Sequence, residues 1–469
     1  MKLNYPTANR LKFFCFIVFL CFCMDANAQI WDKISDGAKK IQKAATDVTN
    51  TTNAVTSTYR AVKQSWKRDT SSNIKYQQVP DYRNREEVSI SKKQKLSIEN
   101  GNFRNLTWSP VTKFDNQVFP SFILGWATYK GEKEEDMGSS LGFNINTNLP
   151  NVVLKWEIEC ADKSYFNIDS GYIRYDDMRA TNKFMPRISW NFRELTKHKI
   201  STPLNVYFRL IDPNSGKKVE KLVNINIRSI NDCLLYYNNQ SYNYLFASYV
   251  NEEHPEIDKI LKKMLDTKMI NNVAGYQLGP GYVDLQVAAL WRVLHDRGFQ
   301  YSSITDNSGF NDASGQGVFS QTVRTFENSL QTNQANCVDG TVFIASVLKR
   351  MGIKPILVNV PGHCFLGYYT SDKLNAEIHF LETTMLAGKT YISNPKSSVL
   401  KYNKLLLQLI PKGVKLSEIN KAYYLEFFNA QLTGAATYKK DMANYGGEKV
   451  KMLDVSQLRK YVAPIPFYE

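Results

Sequence analysis

The apolar residues of this chain change their period near residue 232, and that change constrains the architecture more than any other feature. From about Glu86 to Asp232 the period is two: Val152, Leu154, Trp156, Ile158 and Cys160 alternate with Lys155, Glu157 and Glu159. Successive side chains of a strand point to opposite faces, so such a run describes a strand with one buried face. Leu204 to Leu210 alternates in the same way and ends at Asp212-Pro213-Asn214-Ser215-Gly216, residue types that close turns. Leu222 to Ile227 then returns as its hairpin partner. Short strands separated by turns predict a β-sandwich over 86–232, with no catalytic constellation inside it.

Beyond Cys233, helices precede strands. Val287, Leu290, Trp291 and Leu294 share one face of a helix expected from Asp284 to Arg297 and stopped by Gly298. A second helix, Asn336 to Met351, is closed by Gly352. Strand-like runs follow at Pro355 to Val360, His363 to Tyr369 and Ala376 to Glu382, the first two split by Pro361-Gly362. The final section predicts one helix, Leu416 to Asn429, and then a polar stretch. The expected organisation is α+β and multidomain: a leader at 1–28, a helical stalk and polar linker at 29–85, the β-sandwich at 86–232, an α+β core at 233–395 and a C-terminal helical extension at 396–469. The stalk carries a sparse stripe of Ile34, Ala38, Ile41 and Ala45. Hydrophobic residues make up 43% and charged residues 22%, ordinary globular usage that excludes wholesale disorder.

The leader reads as a secretory signal. Lys2, Arg10 and Lys12 precede the apolar run Phe13 to Met24, and Ala26-Asn27-Ala28 is a small-x-small cleavage pattern. That run is shorter than the roughly 20 residues a permanent transmembrane helix needs, and no later segment is apolar enough to span. Cleavage after Ala28 and a periplasmic or secreted location are expected. The formal charge of +15 is dispersed along the chain. With no zinc-finger spacing, Gly-rich phosphate loop or long Lys/Arg block, it reads as a solvated basic surface and implies no specific nucleic-acid partner. Four cysteines remain after the leader: Cys160, Cys233, Cys337 and Cys364. Cys160 and Cys233 are compatible with one bridge or with two buried free thiols.

The chemistry concentrates in Asn336-Cys337-Val338-Asp339-Gly340-Thr341, Pro361-Gly362-His363 and Phe380-Leu381-Glu382-Thr383-Thr384. Asn336 is placed to cap the second helix and Asp339 to complete a capping box, which makes Cys337 the first helical residue. A thiol there meets the positive end of the helix dipole and exposed N–H groups, which favour thiolate and can bind an oxyanion. A histidine opening a nearby strand can take the thiol proton, and a carboxylate on the next strand can orient the imidazole. Asp372 and Glu377 compete with Glu382 for that last role, but lie in or beside a polar loop. Cys364 falls on the opposite strand face from His363 and reads as packing. His379 invites a zinc reading beside His363 and Cys364, but no ligand spacing supports one, so neither metal nor cofactor is expected. His198, His254 and His295 read as surface or helix residues.

Taken together, Asn336-Cys337-Val338-Asp339 opening a helix, Met351-Gly352-Ile353 closing it, Gly362-His363 and Leu381-Glu382-Thr383 resemble the transglutaminase-like cysteine-enzyme core, part of the wider papain-like group. Gly298-Phe299-Gln300-Tyr301 fits the end of that core's first helix. The resemblance runs from about Asp258 to Leu386, under a third of the chain. It implies a papain-like α+β core and a Cys/His/acid triad acting on amide bonds. Cys337 would be the nucleophile, His363 the general base and acid, and Glu382 would stand where the family usually has Asp. Two departures follow: Glu adds a methylene, and Asn336 stands where many relatives have Gly, narrowing access to the thiol. The family's aromatic oxyanion partner has no assigned counterpart. Gln331, upstream of Cys337, stands where papain-type enzymes place an oxyanion glutamine.

The expected function is a secreted thiol enzyme acting on peptide or protein amides, cell-wall amides among them, through a thioester. Hydrolysis is favoured over transfer, because transfer needs a site that excludes water and admits an amine. The alternative is a non-enzymatic cell-envelope binding or scaffold protein that keeps the transglutaminase-like fold. A further option is binding of anionic cell-wall or membrane polymers through the basic surface.

Overall fold

The protein is mixed α+β, with several sheets and helices. The computed structural model describes residues 97–129, 139–147, 149, 152–175, 182–302, 307–309, 317–386 and 421–468. The expected leader, stalk and linker lie outside the described residues.

Alternation in the sequence becomes alternation in burial. The strand-rich part holds β1 (Leu106–Thr112), β2 (Leu141–Thr147), β3 (Val152–Cys160), β4 (Ile168–Tyr175), β5 (Thr202–Ile211) and β6 (Lys218–Ile227). Along β3, Val152, Leu154, Trp156, Ile158 and Cys160 are buried and the residues between them only half-buried. The hairpin read from the sequence forms, with Leu204 opposite Ile225 and Leu210 opposite Val219. Its turn is tied by the Asp212 carboxylate, which accepts from the Asn214 N–H at 3.0 Å and the Ser215 hydroxyl at 2.6 Å. β1 and β2 belong to a three-stranded sheet, while β6, β5, β3 and β4 make adjacent strands of a five-stranded one. Phe143 of β2 meets Trp156 of β3 and Phe208 of β5, so rings from the two sheets share one interior. Cys160 and Cys233 are separate, buried free thiols, the second of the two options above.

The part that carries the site contains α1 (Pro280–Asp296), β7 (Gln300–Tyr301), α2 (Phe326–Thr332), β8 (Gln334–Ala335), α3 (Cys337–Arg350), β9 (Pro355–Val360), β10 (His363–Tyr369), β11 (Ile378–Leu381), α4 (Lys421–Lys449) and β12 (Lys451–Asp454). Helix α1 starts a turn earlier than its apolar stripe suggests, because Pro280 is pre-set for a first helical position. Four strands form an antiparallel sheet in the order β11, β10, β9, β12. Leu357 of β9 joins the main core, while Ile356, Val358 and Val360 join a second cluster on the other face. A strand covered on both faces needs apolar residues at every position, hence the unbroken run Ile356-Leu357-Val358. Helix α3 packs on this sheet, and Tyr438 and Met442 of α4 pack on the second cluster. The main core runs without a break from Phe103 to Ile465, spanning both the strand-rich and the helix-bearing parts.

Two features of the C-terminal section differ from the sequence expectation. Helix α4 extends to Lys449, well past Asn429, with a break at Gly446. Its polar, glycine-containing second half is held by packing on the sheet, which propensity does not report. The residues after it add β12 as a sheet strand paired with β9.

Candidate active site

The site starts from a helix cap. Asn336 is extended, its side-chain oxygen accepts the Asp339 N–H at 2.8 Å, and the Asp339 carboxylate accepts the Asn336 N–H at 3.0 Å. This is the expected capping box, satisfying donors that a helix start otherwise leaves unpaired. Asp339 is fully buried. Its second partner is Arg324, whose N–H and guanidinium reach the carboxylate at 2.7 and 2.6 Å. Burial raises the Asp339 pKa, opposed by the bonds from Asn336 and Arg324. Cys337 is thereby fixed as the first residue of α3, a buried residue at 8% exposure.

The backbone of Cys337 is clamped as well. Its carbonyl accepts from the hydroxyls of Thr341 at 2.7 Å and Thr383 at 3.3 Å. Gly340 makes room for Thr383, since a Cβ there would lie 3.2 Å from both Cβ and Oγ1 of that threonine. The start of α3 is therefore held against the segment that follows Glu382.

His363 is the first residue of β10, and Glu382 follows the last residue of β11. His363 Nε2 and Glu382 Oε2 lie 2.8 Å apart. The Cys337 thiol lies near enough to the imidazole to help raise its pKa. Burial disfavours a charged His363, yet the neighbouring Cys337 and the bonded Glu382 outweigh it and lift the pKa from 6.5 to about 10. Burial likewise pushes Glu382 up, but the His363 bond and two bonds from Thr384 hold its carboxyl below the ordinary range. Cys337, His363 and Glu382 thus converge from a helix start, a strand start and a strand end.

The other sequence candidates go elsewhere. Gln331 is exposed on α2, and its amide donates to Glu327 at 2.7 Å. Asp372 is exposed in the loop between β10 and β11, and Glu377 reaches His379 at 3.5 Å. Cys364 is buried, and burial raises its thiol pKa. His379 pairs with Asp284 of α1 at 2.8 Å, away from His363. Among the described residues, no group of three or more His, Cys, Asp or Glu side chains is gathered around a metal position. His198 and His254 are not surface residues: His198 bonds the Tyr165 hydroxyl, and His254 is packed between Phe326 and Phe467. Their ring bodies supply apolar area, which residue type alone does not announce.

Sequence reasoning missed Tyr301. β7 pairs in parallel with β8, setting Tyr301 opposite Ala335, two residues before Cys337. Burial and then the charges of Cys337 and Glu382 raise its phenol pKa. Only a two-residue strand pairing brings it there, and no spacing in the sequence signals that. No family model, curated protein or solved structure matches the chain.

Proposed function

We propose that this protein is a thiol enzyme that cleaves amide bonds through a thioester, on a transglutaminase-like, papain-like core joined to a β-sandwich. The observation that carries this reading is the convergence of Cys337, His363 and Glu382, with Nε2 of the imidazole engaged by the carboxylate at 2.8 Å. With Nε2 held, Nδ1 is the nitrogen left for the thiol proton. With its pKa raised to about 10, His363 already holds that proton as an imidazolium, and the thiolate Sγ bonds to the substrate carbonyl carbon as the carbonyl oxygen becomes an oxyanion. The first-turn N–H groups of Cys337 and Val338, which the capping box does not use, are the oxyanion donors. Collapse breaks the C–N bond, and His363 returns its proton to the leaving amine. Water then gives a proton to His363 and adds to the thioester carbon, and collapse releases the acid and leaves the thiolate beside the imidazolium. Glu382 orients the ring and stabilises the imidazolium. The leader ending at Ala28 supports action in the periplasm or outside the cell, on peptide, protein or cell-wall amides.

The low exposure of Cys337 favours a second reading, a cell-envelope binding or scaffold protein that retains the fold. The two separate in one experiment. The wild-type chain is incubated with peptide and cell-wall amides, quenched in acid, and searched by mass spectrometry for an acyl adduct on Cys337. Release of amine together with that adduct is expected; equal turnover by a Cys337→Ala chain sinks the enzyme reading.

A further inference from the structure

The acid of the trio stands on a strand end that is itself held from outside the sheet. Helix α4 crosses β11 so closely that the Ala430 carbonyl, inside the helix, accepts the Glu382 N–H at 2.9 Å. A carbonyl has two lone pairs, so a helical one can take this additional donor. One turn further along α4, Gly434 lies against the same backbone. A Cβ at that position would sit 2.9 Å from the Leu381 nitrogen, 3.0 Å from the Phe380 carbonyl carbon and 3.1 Å from the Glu382 nitrogen. These atoms are backbone and cannot swing aside, so the present approach requires glycine. Gln431, between them, fixes the helix along its axis: its amide donates to Asp284 at 3.2 Å and to the Tyr368 hydroxyl at 2.6 Å.

We infer that Gly434 is a positioning residue for the triad: it lets α4 seat its Ala430 carbonyl on the Glu382 N–H and so sets the carboxylate against His363. The inference rests on the triad reading above. It gives α4, far from Cys337 in sequence, a part in the site. On propensity alone Gly434→Ala strengthens a helix, so an impaired site in that variant reports the lost approach and not a weakened helix.

The test uses the full chain with histidine ring labelling. His363 is titrated by NMR, and Cys337 alkylation by iodoacetamide is timed, in wild type, Glu382→Gln, Gly434→Ala and Gly447→Ala. Gly447 is the control, just past the Gly446 break of α4, with open space around its Cβ position. Gly434→Ala is expected to resemble Glu382→Gln, with the His363 midpoint lowered by about one pH unit or more. Its Cys337 alkylation is expected to slow by about tenfold, a modest barrier change. Gly447→Ala is expected to match wild type. A folded Gly434→Ala chain with wild-type titration and alkylation overturns the inference while leaving the triad intact. By contrast, a wild-type Cys337 that alkylates no faster than Cys160 and is indifferent to Glu382→Gln removes the triad reading itself. Should Gly434→Ala fail to fold, hydrogen exchange of the wild-type Glu382 amide decides. Protection comparable to the β10–β11 ladder supports the Ala430 bond, and exchange at an unprotected rate overturns it.

Discussion

Two histidine–carboxylate pairs stand along one hairpin, and they serve different ends. At the open end of β10 and β11, His363 bonds Glu382 at 2.8 Å. Nearer the connecting loop, His379 bonds Asp284 at the same distance, with Glu377 on its other nitrogen at 3.5 Å. Burial opposes the charge on both rings, their neighbours (Cys337 and Glu382 for His363, Asp284 and Glu377 for His379) outweigh it, and both pKa values rise to about 10. The difference lies in the third partner. His363 has the Cys337 thiol, whereas the His379–Asp284 pair has the Tyr368 hydroxyl at 2.7 Å and the Gln431 amide at 3.2 Å, both on the Asp284 carboxylate. The second set ties α1, β10, β11 and α4 together with no nucleophile in it. A raised imidazole pKa therefore marks a buried ion pair, and the adjoining thiol is what makes one of them a candidate site.

That comparison breaks if the two histidines are interchangeable. His363→Ala is expected to lower turnover by about 10²–10⁴-fold, the ordinary contribution of a general base, and to remove the alkylation advantage of Cys337. His379→Gln is expected to leave Cys337 alkylation unchanged and to cost about 2 kcal/mol in urea unfolding, from hydrogen bonds to charged groups. Glu382→Gln should slow turnover less than His363→Ala, because it keeps a side chain of similar size while losing charge and orientation.

Both pairs are expected to leave a signature in the pH dependence of stability. Both imidazoles are raised from 6.5 to about 10 on folding. Each therefore adds stability that is fully present below about pH 6.5 and disappears as pH rises through about 10. Glu382 is lowered on folding, so its contribution is present above its unfolded value and is lost in acid. The stability gap between wild type and His363→Ala should shrink from neutral pH towards pH 10, and so should the gap to His379→Gln. A gap that stays constant over that range contradicts the assigned ion pairs. The smallest effect expected is that of Asn336→Ala, which removes the cap of α3 and should lower stability by about 1 kcal/mol, read by thermal unfolding.

Much of the site was legible because its parts are local. The Asn336 cap needs only Asp339 three positions later, and the strand starting at His363 is announced by Pro361-Gly362. The strand-rich part was legible wherever one face is buried, as along β3. What escaped depends on distant chain segments. Helix α4 continues through Gly434 because it packs on β11, and β12 pairs with β9 across a long stretch of sequence. Tyr301 arrives through a short parallel pairing, and Arg324 completes the Asp339 cap from outside the helix. Period and propensity are local quantities and carry no record of such contacts.

The proposed chemistry requires Cys337 and His363 to act as one chemical unit. The most direct measurement is the rate of iodoacetamide alkylation of each cysteine in the folded full-length chain across pH, read by mass spectrometry in wild type and His363→Ala. Cys337 is expected to react faster than Cys160, Cys233 and Cys364 near neutral pH, and His363→Ala to abolish the difference. A Cys337 that reacts no faster than the other three, or reacts equally fast without His363, contradicts it.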